Sequence, residues 1–420
     1  MSTRQDHPDI REGSTNILGI GLEELRAFVT DLGERPYRGD QLFRWLYTRG
    51  ASRFDEMSDI AQAFRQRLNA CARIGGVRHV RHQVSPADGT TKFLFALDDD
   101  RTIESVLIPP ASAFEEDTGE EHNSTPPRER LTLCVSTQVG CPLDCAFCAT
   151  GTMGYVRNLA AGEIVDQILT TRRVTGRTIT NVVFMGMGEP MLNYGPVMHA
   201  AEIMNEGMEI AARRITVSTA GWVDGIVRMA EERRRFKLAV SLHSAVEETR
   251  TALMPVTRRY PLSVLAEALR SYYKTTKMRV TYEVVLFDGV NDTAHELRRL
   301  IAFARIVPCK INVIPYHSIA FTGPEGFAAS LRPSPRLQDA VALLRQANLT
   351  VMVRSSAGED IVAACGQLAV HDARHNKPRG TTRERHNVLP RDHTSSTGAH
   401  AHSHIRSPRR GERNPGKASR

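Results

Sequence analysis

The spacing of apolar positions along this 420-residue chain changes twice, and each change marks a different kind of structure. From Leu22 to Ala70 apolar residues recur at helical spacing: Leu22, Leu25, Phe28, Val29 and Leu32, then Leu42, Phe43, Leu46 and Tyr47, then Ile60, Phe64 and Leu68. The pattern predicts three short helices in a small accessory domain over residues 21–75, the third capped by Ser58 or Asp59. Residues 92–97 and 102–108 flank the polar turn Asp98-Asp99-Asp100-Arg101 and read as a β-hairpin that Pro109 and Pro110 end, which makes residues 76–110 a hairpin connector. Residues 111–130 are acidic, carry Pro and Ser and have no period, the pattern of a flexible insertion. From Leu131 onward, apolar runs at 131–136, 181–185, 215–219, 238–242, 280–287 and 311–315 alternate with amphipathic stretches at 163–173, 196–206, 262–274 and 294–306. Six such units in series predict an α/β fold, a partial parallel (β/α)6 barrel over residues 131–370, and a seventh strand at 350–354 follows the helix at 337–346. In parallel α/β barrels the functional loops lie at the carboxyl ends of the strands.

Charge changes the picture at the end of the chain. Residues 371–420 hold 12 Lys and Arg against 4 Asp and Glu; taking these from the totals of 55 and 47 leaves 43 of each sign in the first 370 residues. The formal excess of +8 therefore belongs to a Pro-, Ser- and Arg-rich tail without apolar periodicity, which reads as disordered and suited to a polyanion such as RNA. Residues 1–20 are polar and mixed in charge, a disordered start with no signal-peptide pattern, and no run of about 18 apolar residues predicts a membrane span. Seven unevenly clustered cysteines fit a reduced, cytoplasmic compartment with metal or redox chemistry better than a secreted disulfide framework.

The chemistry concentrates just after the first barrel strand. Cys141, Cys145 and Cys148 follow the apolar run at Cys-x3-Cys-x2-Cys spacing, with Phe147 before the third thiol. Three thiolates this close can hold three irons of a 4Fe–4S cluster and leave the fourth open, whereas a structural zinc normally takes four ligands. Gly186-Met187-Gly188-Glu189-Pro190 ends the second strand, Ser218 to Gly221 the third, and Ser241-Leu242-His243 the fourth, so small, hydroxyl and imidazole groups converge on one rim. Two further thiols stand apart, Cys134 in the first strand and Cys365 in Ala363-Ala364-Cys365-Gly366-Gln367-Leu368. Either alone reads equally as a buried hydrophobe.

The three-cysteine spacing resembles the radical S-adenosylmethionine superfamily. Together with Leu131 to Gln167, Met185 to Pro190 and Ala363 to Leu368, it resembles the RlmN type of dual-specificity RNA methyltransferases within that superfamily, with coverage from about Leu22 to Leu368. The resemblance implies a radical-SAM barrel that methylates carbon 2 of adenine in 23S rRNA and in tRNA beside the anticodon. It implies Cys141, Cys145 and Cys148 as cluster ligands, and Gly188, Glu189, Ser218, Ser241, Leu242, His243 and His317 as contacts to S-adenosylmethionine. It also implies Cys365 as the methyl-carrying cysteine, Cys134 as the thiol that resolves an RNA adduct through a transient disulfide, and Glu104 as proton acceptor. Two S-adenosylmethionine molecules per turnover and a low-potential donor of flavodoxin or ferredoxin type follow from the same source. Two positions depart from the family pattern: His317 stands where Asn is usual, and Ala357 where Arg is usual. Arg157 is a candidate phosphate contact. The alternatives are methylation at carbon 8 of the same adenine, a non-catalytic RNA-binding iron–sulfur protein, and a zinc-stapled structural protein.

Overall fold

The computed structural model describes residues 14–110, 130–354 and 356–369. The expectations for the first 13 residues, for 111–129 and for the basic tail fall outside the described residues.

One ten-stranded sheet organises the chain, and its spatial order is the order of the sequence. The strands are β1 (Val77–Val84), β2 (Thr91–Leu97), β3 (Thr102–Ile108), β4 (Thr132–Cys134), β5 (Asn181–Phe184), β6 (Ile215–Thr219), β7 (Lys237–Ser241), β8 (Val280–Leu286), β9 (Cys309–Pro315) and β10 (Val351–Val353). Strands β4 to β10 pair in parallel, whereas β1 to β4 pair antiparallel. The parallel strands are almost wholly buried, which is why they read as continuous apolar runs: both faces are covered, so no alternation survives. The (β/α)6 expectation holds, with the predicted seventh strand at its edge. The hairpin holds as well, but it has a third strand, β1, and it continues the barrel sheet instead of standing apart from it.

The N-terminal helices are α1 (Leu22–Asp31), α2 (Tyr37–Phe43) and α3 (Gln62–Cys71), with a π-turn at Arg44–Thr48 continuing α2. Glu24 reaches back to accept the Gly21 N–H at 2.9 Å, satisfying one of the orphan donors that open a helix. The third helix starts two or three residues later than the expected cap: Ala61 is its N-cap, and Asp59 instead accepts a hydrogen bond from Trp45 Nε1 at 2.5 Å. Leu25, Val29, Leu42, Leu46, Tyr47, Phe64 and Leu68 are buried, and each contributes about 2 kcal/mol of apolar transfer. Tyr47 also accepts from Gly19 N–H at 2.9 Å and donates to Ile20 O at 2.8 Å.

This module packs on two barrel helices, α4 (Ala161–Thr175) and α5 (Tyr194–Gly207). Thr48 donates to Gly207 O at 2.8 Å, and backbone crosses backbone where Gly19 meets Gly162, so that a Cβ on either would collide with the other segment. The remaining barrel helices are α6 (Val223–Glu231), α7 (Glu247–Leu253), α8 (Leu262–Thr276), α9 (Ala294–Ala304) and α10 (Leu337–Gln346). No described helix is long and apolar enough to cross a membrane.

Candidate active site

Every parallel strand sends a loop or a side chain to the same end of the sheet. After β4 the chain closes a loop with the short antiparallel pair Gln138–Gly140 and Tyr155–Asn158. Gly140 has φ +74°, and a Cβ there would collide with Gly154 O, so only glycine lets the loop neck close. Inside it, Cys141 N–H donates to Gly154 O at 3.0 Å, Ala146 N–H to Leu253 O at the end of α7 at 2.9 Å, and Cys148 N–H to Cys145 O at 3.1 Å. Burial pushes the thiols of Cys141 and Cys145 far up, and the charge of Cys148 raises both further. The three sulfurs are thus within electrostatic reach of one another. A structural zinc normally takes four ligands, and three thiols leave it one short. Three thiols at this spacing suit a cluster that takes each thiolate on a separate iron.

Opposite the loop lie the ends of β5, β6 and β7. Gly188 has φ +99°, and a Cβ on it would press into Gln138. The buried Glu189 carboxylate accepts from Ala220 N–H at 2.8 Å and Met191 N–H at 3.0 Å, joining the ends of β5 and β6. Burial lifts its pKa to about 7 against these hydrogen bonds. Ser218 is buried and Ser241 half-buried, and no described residue hydrogen-bonds either hydroxyl. Leu242 N–H donates to Glu283 O at 3.0 Å. His243 sits at φ +56° with Nδ1 accepting from Val285 N–H at 3.0 Å, which leaves its proton on Nε2. Burial and Arg250 drive its pKa down to about 3, so the ring is neutral. Its ring meets Phe147 edge-on at 4.5 Å, tying this rim to the cysteine loop.

His317, beyond β9, is buried, with Nδ1 at 3.1 Å from Glu359 Oε1 but outside hydrogen-bond alignment, so the two are near neighbours and not a bonded pair.

The third wall is the segment carrying Cys365, and it is tied down on both flanks. Ala149 N–H donates to Gly366 O at 2.7 Å and Thr150 Oγ1 to Leu368 O at 2.6 Å, fixing it to the cysteine loop. Gly358 N–H donates to Asp88 Oδ2 at 2.9 Å, Ser85 Oγ to Asp360 Oδ2 at 3.0 Å, and Lys92 Nζ to Val362 O at 3.0 Å, fixing it to the β1–β2 hairpin. Hydrogen bonds with the hairpin's side chains therefore anchor the stretch that carries Ala357. Ala369 N–H donates to Glu104 Oε2 at 3.1 Å, and Lys92 Nζ lies 3.7 Å from Glu104 Oε1. Burial lifts the Glu104 carboxyl to about 7 while Lys92 opposes the rise.

Cys134 is buried, and desolvation with the charge of Cys365 pushes its pKa up to about 12. Cys365 keeps surface open to solvent, yet the surrounding protein still pushes its thiol up, with Arg354 opposing and Glu283 and Cys148 adding to the rise. Cys365 thus lies within electrostatic reach of both Cys134 and the cysteine loop. All seven cysteines are free thiols.

Several participants had no visible signal in the sequence. Arg250, at 1% exposure, donates to Leu242 O at 3.2 Å, Thr257 Oγ1 at 2.6 Å, Ala220 O at 2.7 Å and Ser241 O at 3.3 Å, so one cation knits the ends of β6 and β7. Burial lowers its pKa to about 10, with Cys145 acting the other way. Arg157 also has internal partners that the sequence did not show. Its Nε donates to Asp99 at 2.8 Å and both terminal nitrogens donate to Glu163 at 2.8 Å, so most of its donors are committed to a strut between the hairpin turn and α4.

Residues 135–303 match the family model described as the radical SAM superfamily, and residues 15–74 match the ribosomal RNA large subunit methyltransferase N-terminal domain. A dual-specificity RNA methyltransferase RlmN from Geobacter sulfurreducens is 42% identical over 359 residues, covering 84% of this chain and 91% of that relative. The chain belongs to the RlmN family of radical SAM methyltransferases. A probable member from Christiangramia forsetii is 40% identical over 366 residues, covering 86% of this chain and 97% of its own length. Among solved structures, a radical SAM methyltransferase from Sphaerobacter thermophilus superposes with a TM-score of 0.74 at 39% identity, covering 84% of this chain and 99% of that one. Membership in the superfamily implies a 4Fe–4S cluster and S-adenosylmethionine.

Proposed function

We propose that this chain methylates carbon 2 of adenine in 23S rRNA and in tRNA beside the anticodon, acting in the cytoplasm and using two S-adenosylmethionine molecules per turnover. The observation that carries the reading is the placement of Cys365 between the cysteine loop and Cys134, on a segment whose end is hydrogen-bonded by Glu104 at 3.1 Å. Carbon 2 is electrophilic and has no acidic proton, so transfer of a methyl cation from a sulfonium does not reach it. The bound cluster and cofactor, reduced by a flavodoxin- or ferredoxin-type donor, supply the adenosyl radical that this chemistry needs.

The chain's own residues then divide the work. Cys141, Cys145 and Cys148 would hold the cluster. Gly188, Glu189, Ser218, Ser241, Leu242, the neutral His243 and His317 would line the sulfonium cofactor. Cys365 carries the methyl group as a thioether; loss of one hydrogen atom from that group to the adenosyl radical lets its carbon bond to carbon 2, and Glu104, half ionised near neutral pH, takes the carbon-2 proton as the adduct gives up one electron. The Cys134 thiolate attacks the Cys365 sulfur, the S–C bond to the adduct methylene breaks, and that carbon takes up a proton as the methyl group of released RNA, leaving a disulfide between the two cysteines. We assign chemistry to residues 131–370 and RNA docking to the accessory helices at 21–75 and the hairpin at 76–110.

The test is anaerobic reconstitution followed by mass spectrometry of RNA nucleosides and of the Cys365 peptide. 2-Methyladenosine with a methylated Cys365 is expected. 8-Methyladenosine alone, an unmethylated Cys365 in active enzyme, or no 5′-deoxyadenosine would each overturn the assignment.

A further inference from the structure

The face of the sheet that carries Glu104 and Cys134 does not stop at the pocket. Directly paired residues in a sheet point to the same side, so register tells which side chains share that face. Cys134 pairs with Val106, Val106 with Lys92, and Lys92 with Gln83; in the neighbouring row Glu104 pairs with Leu94 and Leu94 with Arg81. Arg78 pairs with Ala96, and Ala96 with Thr102. Arg78, Arg81 and Gln83 of the edge strand therefore lie on the face of Glu104 and Cys134, with Arg81 two strand spacings, about 10 Å, from Glu104.

Ordinary alternation forbids this arrangement, because residues three apart on a strand point to opposite sides. The register shifts between His79 and Arg81, where Val80 bulges out unpaired, and the bulge turns Arg78 and Arg81 to the same side. The opposite face is occupied by His79 and His82, 5.1 Å apart and packed on Phe93 and Phe95 at ring distances of 5.6 to 6.4 Å. A charge that only blunted an exposed edge could sit on either face. Here the bulge delivers basic groups to the site side.

The side chains of Arg81 and Gln83 are exposed and make no hydrogen bond or ion pair among the described residues, while Arg78 makes only a long, exposed contact with Asp100 at 3.5 Å. Arg81 is also close enough to act on the Glu104 carboxyl. The same hairpin clamps the Cys365 segment through Asp88, Ser85 and Lys92.

We infer that the site face of β1, with Arg78, Arg81 and Gln83, is an RNA-docking strip that grips the phosphates flanking the target adenine and aims that base at Glu104 and Cys365. This rests on the proposed action on RNA. A base must leave its stack to reach such a pocket, and anchored flanking phosphates set where it enters.

The test measures binding of a fluorescent RNA stem-loop with an unpaired loop adenine at several KCl concentrations, using the full chain. Arg81→Ala should weaken binding about five- to tenfold and flatten the salt slope by about 0.7, and Arg78→Ala with Arg81→Ala by about 1.4, as expected for one and two lost contacts to single-stranded phosphates. Arg81→Lys should keep most of the slope, which separates lost charge from lost fold. Arg298→Ala, at an exposed position on α9, should leave binding unchanged. Equal losses at Arg81 and Arg298, or wild-type binding in the Arg81→Ala variant, would overturn the strip while leaving the RNA reading intact. Absence of salt-dependent RNA binding by the wild type would sink that reading and the strip with it. As a second measurement, RNA carrying 4-thiouridine beside the adenine should cross-link to the peptide spanning residues 78–92; cross-links confined to other peptides would refute the assignment.

Discussion

Replacing Lys92 by Met should move the pH dependence of methylation upward, and the structure sets the size of the move. Lys92 Nζ lies 3.7 Å from Glu104 Oε1, with only 12% and 6% of the two side chains exposed. At that distance a unit charge pair is worth about 1 kcal/mol in water and about 4 kcal/mol at an effective dielectric of 20. One pKa unit corresponds to 1.36 kcal/mol, so losing the ammonium raises the Glu104 pKa by about one to three units. Burial already holds that carboxyl near 7, and only the ionised form accepts a proton. At pH 7 the ionised fraction then falls from about half to about a tenth or less, a rate loss of at least about fivefold in the step that removes the carbon-2 proton. The assay is single-turnover RNA methylation from pH 6 to 9.5. The acid limb should lie near pH 7 in the wild type and shift alkaline in Lys92→Met, with activity recovering as pH rises, while Lys92→Arg stays close to the wild type. Lys92 also holds Val362 O at 3.0 Å, so thermal unfolding of each variant separates a loosened segment from a shifted base. An acid limb unchanged in Lys92→Met would refute Glu104 as the proton acceptor or Lys92 as its regulator.

Further outcomes follow from the same contacts. Arg250→Met leaves three backbone carbonyls and the Thr257 hydroxyl without their donor, and should cost about 3 kcal/mol in the denaturant unfolding of metal-free protein. Glu189 and Glu104 have folded-state pKa values raised from 4.5 to about 7, so the folded chain binds more protons than the unfolded chain between those values. Stability should be greatest below about pH 4.5 as far as these two groups are concerned, and should fall as pH rises through 7, by at most about 3 kcal/mol each. Glu189→Gln should flatten that fall in urea titrations at pH 5 and 8, and an unchanged difference would refute the assignment. Cys134→Ala should accumulate an RNA adduct on Cys365, seen as a mass shift after nuclease digestion. In the wild type, resolution of that adduct should speed up steadily to pH 9 and beyond, because Cys134 is held up to about 12.

What could be read in advance followed from burial on both faces. The parallel strands are coated by helices, so Val182 to Phe184, Val217 and Leu238 to Val240 announce themselves as apolar runs. The cysteine spacing and the polar clusters at strand ends are local in sequence, and the structure brings them to one rim. The edge strand β1 escaped because Arg78, Arg81, His82 and Gln83 face solvent and the Val80 bulge breaks its alternation. Arg250 stands in sequence next to Glu247 and Glu248, which disguises a fully buried cation as part of a charged surface turn. Lys92 could be placed on a strand, but its partners, Glu104 and Val362, are set by packing across 12 and 270 positions of chain. Long-range pairing of that kind leaves no periodic trace.

The single sheet running from the hairpin into the barrel has a consequence for how the molecule can be taken apart. A protease cut anywhere between residues 110 and 130 would sever the backbone but not the ladder that joins Val106, Leu107 and Ile108 to Cys134, Leu133 and Thr132. The two pieces should copurify as a noncovalent heterodimer. Neither piece alone owns a complete pocket, since one carries Glu104 and Lys92 and the other every thiol proposed to react, so complementation between inactive halves is expected to restore what each has lost.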